Sequence, residues 1–162
     1  MNLYFLRHAI AVPRGTPAFK DENRPLTKDG ARKMKEIAQG MLALKLKFDR
    51  IATSPWLRAR QTADIVAKIF GQEVEIWKSL IPSEDPRQLI AALRKSSDEN
   101  LLLVGHEPHL SQFISVLISG GPDTQIGFKK GGLCMVSSDD LIYGQCATLH
   151  WLLGPSHLRK LR

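Results

Sequence analysis

The sequence predicts an α/β fold of three layers, with helices on both faces of a mostly parallel central sheet. Three observations predict it. Short apolar runs such as Asn2–Leu6 (NLYFL) and Asn100–Val104 (NLLLV) read as strands buried on both faces, the habit of parallel sheets. Segments with apolar residues at three- and four-residue spacing lie between such runs and read as amphipathic helices. The alternation persists along the chain without a repeat, linker or low-complexity stretch, so one domain over residues 1–162 is expected.

Asn2–Leu6 opens the sheet. Thr27–Leu44 follows as a helix, with Ala31, Met34, Ile37, Ala38, Met41 and Leu44 on one face. Thr27 is its N-cap, the hydroxyl accepting from a free first-turn amide. Arg50–Thr53 is a short strand. Pro55 suits the first position of the next helix, which runs to Phe70 and stops at Gly71, a residue free to take the left-handed turn of a C-cap. Glu73–Trp77 alternates as a strand. A helix from Pro86 through Lys95 carries Leu89, Ile90 and Leu93 on one side. After Asn100–Val104, a strongly amphipathic helix is marked by Leu110, Phe113, Ile114, Leu117 and Ile118. Leu133–Ser137 and Ala147–Leu153 form a closing hairpin around Ser138, Asp139 and Asp140, and the basic tail LRKLR is expected to fray.

The 23 Lys and Arg residues outweigh 16 Asp and Glu, giving a formal charge of +7 and a pI near 9.6. That balance suits anionic partners and equally fits a solvated basic surface. Basic residues do not interleave with aromatic ones as in RNA-binding sheets, so nucleic acid is not the expected partner. No apolar run approaches the roughly 18 residues of a membrane span, and the N-terminus does not read as a secretory leader. Cys134 and Cys146 match no metal-ligand spacing and read as free thiols in a reducing compartment, so a cytoplasmic location is expected.

Ligands of open α/β sheets bind beyond the carboxyl ends of the strands. The first strand ends in Arg7-His8. The second ends in Thr53-Ser54-Pro55, with Arg58 just after, and NLLLV ends in Gly105-His106. Singly, each group has a bland reading: a histidine satisfied within the fold, an arginine in a surface ion pair. Four such groups at equivalent topological places are not independent. Together they suit a tetrahedral dianion, because guanidinium forks match phosphate oxygens and a neutral imidazole can attack phosphorus. The arginines would repel a metal ion. No aspartate-rich strand end or glycine-rich nucleotide loop accompanies them, so neither metal nor cofactor is expected.

R-H at residues 7–8, S-P-x-x-R-A at 54–59 and G-H at 105–106 resemble the motifs of the histidine phosphatase superfamily, also called phosphoglycerate mutase-like, over nearly the whole chain. The family's usual R-H-G is R-H-A here, and Ala9 would resist a backbone of positive φ. Two features narrow the branch. Arg24-Pro25-Leu26-Thr27 resembles the SixA-type phosphohistidine phosphatases, as does, more weakly, Lys129-Lys130-Gly131-Gly132. Arg58 and His106 are also only 48 positions apart. That leaves no room for the long helical insertion that roofs the site in phosphoglycerate mutases and fructose-bisphosphatase-type members.

The resemblance implies a phosphoglycerate mutase-like fold without that insertion and a metal-independent phosphatase. It implies His8 as the nucleophile, forming a transient phosphohistidine that water hydrolyses. Arg7, Arg58 and His106 would hold the phosphoryl oxygens, with Arg24 as a fourth ligand. Many members take a general acid from the segment after the third strand. Glu84 is the candidate here and Asp85 the second, against the alternative that Ser83, Glu84 and Asp85 cap the following helix. A protonated imidazole leaves as a neutral group and needs no acid, whereas a serine alkoxide needs one. The expected substrate is a phosphorylated histidine-containing protein of the phosphotransfer type, in signal transduction. A small-molecule phosphomonoester and non-catalytic phosphate recognition are the alternatives, and a monomer is expected. His109 reads as a helix-start residue or a rim of the site, Trp56 as core or rim, and His150 and His157 as structural or exposed.

Overall fold

Successive side chains of the first strand, β1 (Asn2–Arg7), enter different cores: Leu3 and Phe5 one, Tyr4 and Leu6 the other. A strand that is apolar on both sides must be covered on both faces, and the rest of the chain does this. The computed structural model describes all residues, Met1–Arg162. After β1 come α1 (Lys28–Ala43), β2 (Arg50–Thr53), α2 (Leu57–Phe70), β3 (Val74–Ile76), α3 (Pro86–Leu93), β4 (Asn100–Gly105) and α4 (His109–Ser119). The chain closes with β5 (Leu133–Ser137), β6 (Thr148–Leu153) and α5 (Pro155–Lys160). The six strands lie in the order β3-β2-β4-β1-β5-β6. The first four are mutually parallel, while β5 and β6 add an antiparallel edge. Leu89, Ile90 and Leu93 of α3 and Leu110, Phe113, Ile114 and Leu117 of α4 join the core holding Phe5. Met34, Ile37, Ala38 and Met41 of α1, Ala59, Ala63, Val66 and Ala67 of α2, and Leu158 of α5 join the core holding Leu6. The architecture is the three-layer α/β/α arrangement, with no helix long and apolar enough to cross a membrane.

Local signals set several boundaries. The Thr27 hydroxyl accepts from the Gly30 amide at 2.9 Å and starts α1. Gly71, at φ 65°, ends α2 in the left-handed conformation. Other expectations are corrected. Helix α2 starts at Leu57, with Pro55 outside it, because the Ser54 amide is still bonded to the Val104 carbonyl of the neighbouring strand and the chain turns through Pro55 before the Trp56 N-cap. Leu44 lies past the last turn of α1 and is 37% exposed. Strand β3 keeps only Val74–Ile76, an edge strand paired on one side. The tail does not fray. Leu158 is fully buried, and Arg159 and Arg162 reach Glu36 of α1 at 2.6 and 3.2 Å. Gly40 makes this docking possible, since a Cβ there would lie 1.9 Å from the Leu158 carbonyl oxygen.

Candidate active site

The strand register assembles the site. Arg7 pairs with Gly105 across β1 and β4, and Thr53 with Val104 across β2 and β4. The first residues beyond the three strands, His8, Ser54 and His106, therefore emerge side by side on one edge of the sheet. His8 and His106 are 5% and 1% exposed, and their ring centroids lie 5.2 Å apart. Arg58, in the first turn of α2, reaches back over them and is 2% exposed.

The hydrogen bonds define the protonation of His8. Its Nδ1 lies 2.8 Å from the Ala9 carbonyl, which can only accept, so Nδ1 carries the hydrogen. Arg58 donates from Nε to His8 Nε2 at 3.2 Å, so Nε2 offers a lone pair. Burial pushes the His8 pKa down to about 3; the Ala9 carbonyl opposes the shift, and the Arg58 and Arg7 cations add to it. Burial, then His8 and Arg58, hold His106 at about 2. Both rings are neutral at neutral pH. Burial and neighbouring Arg24 lower Arg58 to about 10, against the pull of Asp21, and it remains a cation.

Ala9 does not adopt a positive φ, so the methyl that replaces the usual glycine brings no backbone strain. Its amide donates to Thr62 Oγ1 at 3.0 Å, and that hydroxyl donates to the Arg58 carbonyl at 2.7 Å. Thr62 thus ties the His8 segment to the helix that carries Arg58. Arg7 donates from Nη1 to the Phe128 carbonyl at 2.6 Å, while its Nε is buried without a partner. Its backbone is clasped on both sides, the amide by the Gly132 carbonyl and the carbonyl by the Gly131 amide. Gly131 sits at φ 75°, with Ile37 2.7 Å from where a Cβ would stand, which is why this loop uses glycine. Lys130 in the same loop has its pKa lowered by burial and by Arg7, Arg24 and Arg58.

Arg24 stands beside Arg58 across Asp21. It donates to the Asp21 carboxylate at 2.7 Å and to the Val12 carbonyl at 2.6 Å. Arg58 donates to the Asp21 carbonyl at 2.7 Å. Burial opposes ionisation of Asp21, but bonds from Arg14 and Arg24 outweigh it and keep the carboxyl below its usual range. The two acidic candidates separate. Asp85 caps α3, its carboxylate accepting from the Arg87 amide at 2.8 Å. Glu84 is half-buried, and no hydrogen bond to its side chain is present; its field reaches His109. His109 opens α4 at 2% exposure, with neither ring nitrogen partnered. Trp56 packs against His106 with centroids 5.0 Å apart, under the Arg58 guanidinium at 4.6 Å. His150 and His157 are exposed, and His150 Nε2 bonds the Ser137 hydroxyl at 2.8 Å. No three His, Cys, Asp or Glu side chains gather as a metal ion would require.

Sequence reasoning brought Arg7, His8, Arg58 and His106 together and placed Arg24 next to them. It missed Asp21, Thr62, the Phe128 carbonyl and the hydroxyl of Ser54. Thr62 and Ser54 sit within or beside the S-P-x-x-R-A stretch and were open to a closer reading. Asp21 lies in an irregular segment with no periodicity to betray its direction.

A family model described as histidine phosphatase superfamily (branch 1) matches residues 3–82. An uncharacterised protein of Picosynechococcus sp. is 38% identical over 137 residues, 82% of each chain. The phosphohistidine phosphatase SixA of Escherichia coli (strain K12) is 26% identical over 98% of this chain and 97% of its own. The solved structure of the protein histidine phosphatase SixA complexed with tungstate superposes with a TM-score of 0.84 at 26% identity, covering 98% of this chain and 99% of that one. The family-model match, the strand-end residues gathered on one sheet edge and the full-length superposition lead to one conclusion: the chain, similar over its whole length to SixA, belongs to the histidine phosphatase superfamily.

Proposed function

We propose that this chain is a metal-independent phosphatase that removes phosphoryl groups from phosphohistidine on a protein through a covalent intermediate at His8. The observation that carries this reading is the lone pair of His8 Nε2, held on a neutral ring among Arg7, Arg58 and His106. Nε2 attacks phosphorus, and the bond from phosphorus to the substrate's imidazole nitrogen breaks. A substrate ring already protonated on its other nitrogen takes the electron pair and leaves as neutral imidazole. Water then adds to phosphorus. The P–Nε2 bond breaks, its electron pair returns to His8, and phosphate departs with both hydrogens of the water as dihydrogen phosphate. Arg7, Arg24, Arg58 and His106 hold the three non-bridging oxygens as charge shifts between the attacking and leaving nitrogens.

The protein substrate is supported by the lack of a roof. Between Arg58 and His106 the chain spends its residues on the rest of α2, β3, a short 3-10 turn, α3 and β4. A small ligand would gain little binding energy there, whereas a protein covers the site with its own surface. The likeness to SixA points the same way. One observation favours a second reading, a small-molecule phosphomonoesterase: the half-buried Glu84 side chain makes no hydrogen bond within the protein and is free to serve, in its carboxylic acid form, as the proton donor an alkoxide leaving group needs.

The test is turnover of a phosphorylated histidine-containing phosphotransfer domain, a sugar phosphate and p-nitrophenyl phosphate, with and without EDTA, by wild type and His8→Ala. The reading expects the phosphoprotein to give the highest kcat/KM, EDTA to leave it unchanged, and His8→Ala to abolish both turnover and acid-labile phosphoenzyme. A better sugar phosphate substrate would establish the second reading. Loss of activity in EDTA, or label surviving on His8→Ala, would overturn the covalent mechanism at His8.

A further inference from the structure

His106 Nδ1 is buried and has no hydrogen-bond partner in the protein. Its other nitrogen, Nε2, lies 2.9 Å from the Ser54 hydroxyl, and the pair is buried. A neutral imidazole has one hydrogen to place, and the bond made by one nitrogen decides what the other presents. Ser54 Oγ also accepts from the Trp56 amide at 3.3 Å. The next residue, Pro55, has no amide hydrogen to offer. The hydroxyl oxygen therefore already receives one donor, and its own hydrogen is free for His106 Nε2.

From this arrangement we infer that Ser54 is a positioning residue that sets the tautomer of His106. By donating to Nε2, the hydroxyl places the ring hydrogen on Nδ1, the nitrogen left without a protein partner and therefore the one that can donate to a phosphoryl oxygen brought into the site. The reverse tautomer would leave Nδ1 with only a lone pair, which an anion cannot use. The fold holds the pair firmly. Ser54 follows β2 and His106 follows β4, neighbouring parallel strands, and the Ser54 amide donates to the Val104 carbonyl at 3.0 Å. Trp56 packs on the imidazole and limits its rotation. The site would thus set its two histidines by different devices: a backbone carbonyl fixes hydrogen on Nδ1 of His8 and leaves Nε2 to attack, while a hydroxyl fixes hydrogen on Nδ1 of His106 and makes that nitrogen a donor.

This inference rests on the proposed phosphoryl chemistry for its purpose, but the tautomer can be read without any substrate. Long-range 1H–15N correlations on uniformly labelled protein at pH 7.5 assign the hydrogen on each ring. Wild type is expected to show His106 protonated on Nδ1 alone. Ser54→Ala is expected to show both tautomers at His106 with His8 unchanged, and Ser54→Thr to restore the wild-type pattern. The kcat of Ser54→Ala should fall about 10-fold or more, approaching the 10²–10³ typical for loss of one preorganised donor, with KM changing less and Ser54→Thr recovering most of the rate. A wild-type His106 protonated on Nε2 overturns the inference, as does a Ser54→Ala protein that keeps His106 purely in the Nδ1–H form. Should Ser54→Ala fail to fold, the wild-type and Ser54→Thr spectra decide. A protein that proves inactive on phosphohistidine defeats the proposed substrate and leaves the tautomer result standing.

Discussion

Lowering the pH should destabilise this protein through its two buried strand-end histidines. His8 and His106 have folded pKa values of about 3 and about 2, while an unfolded histidine titrates near 6.5. Between those values the unfolded chain binds protons that the folded chain refuses, so stability is lost as pH falls below about 6.5 and the loss continues toward 3. Going from pH 7 to pH 5, each ring costs about 2 kcal/mol, or about 4 kcal/mol for the pair. At pH 5 neither ring is charged in the folded protein, so their mutual repulsion at 5.2 Å does not enter. For a chain of this length each kcal/mol moves Tm by roughly 2–4 °C, which gives a drop of about 8–15 °C from this pair. The measurement is calorimetric Tm across pH 7.5 to 5 in buffers free of phosphate, for wild type and for the His8→Gln/His106→Gln double variant. Carboxylates contribute to both proteins alike, so the difference in slope isolates the two rings. A double variant that loses as much Tm as wild type would refute the buried neutral pair.

Three further outcomes are expected. Arg58→Lys should lower kcat by about 10²–10³, because a point charge cannot replace a planar fork; a variant within threefold of wild type would mean that the fork is not used. Glu84→Gln should reduce hydrolysis of p-nitrophenyl phosphate and alkyl phosphates, most for the poorest leaving group, and leave phosphohistidine hydrolysis within threefold, with equal losses on all substrates counting against the leaving-group argument. Gly40→Ala should destabilise by about 1–3 kcal/mol through overpacking against Leu158, read as a lowered denaturant midpoint, and an unchanged midpoint would show that α5 is not docked there.

The layered fold was legible because its signals are local and redundant. Leu3–Leu6 and Leu101–Val104 are apolar on both sides, and a strand of that kind has no stable place except inside a covered sheet. Thr27, Gly71 and Pro86 mark helix ends through their own backbone and side-chain chemistry. The strand-end groups Arg7, His8, Arg58 and His106 were legible for a topological reason, since parallel strands of similar register deliver their last residues to one edge. Tertiary packing decided the rest. LRKLR looks like a solvated tail until Gly40 opens a seat for Leu158 and Glu36 receives Arg159. Glu84 and Asp85 are adjacent acids in sequence, and only the entry angle of α3 makes one a cap and leaves the other free. Asp21 among three arginines and Ser54 against His106 are contacts between segments far apart along the chain. Residue type and spacing along a chain specify which face a side chain takes, but the direction of a hydroxyl or carboxylate depends on what arrives opposite it, and that is fixed only when the sheet register closes.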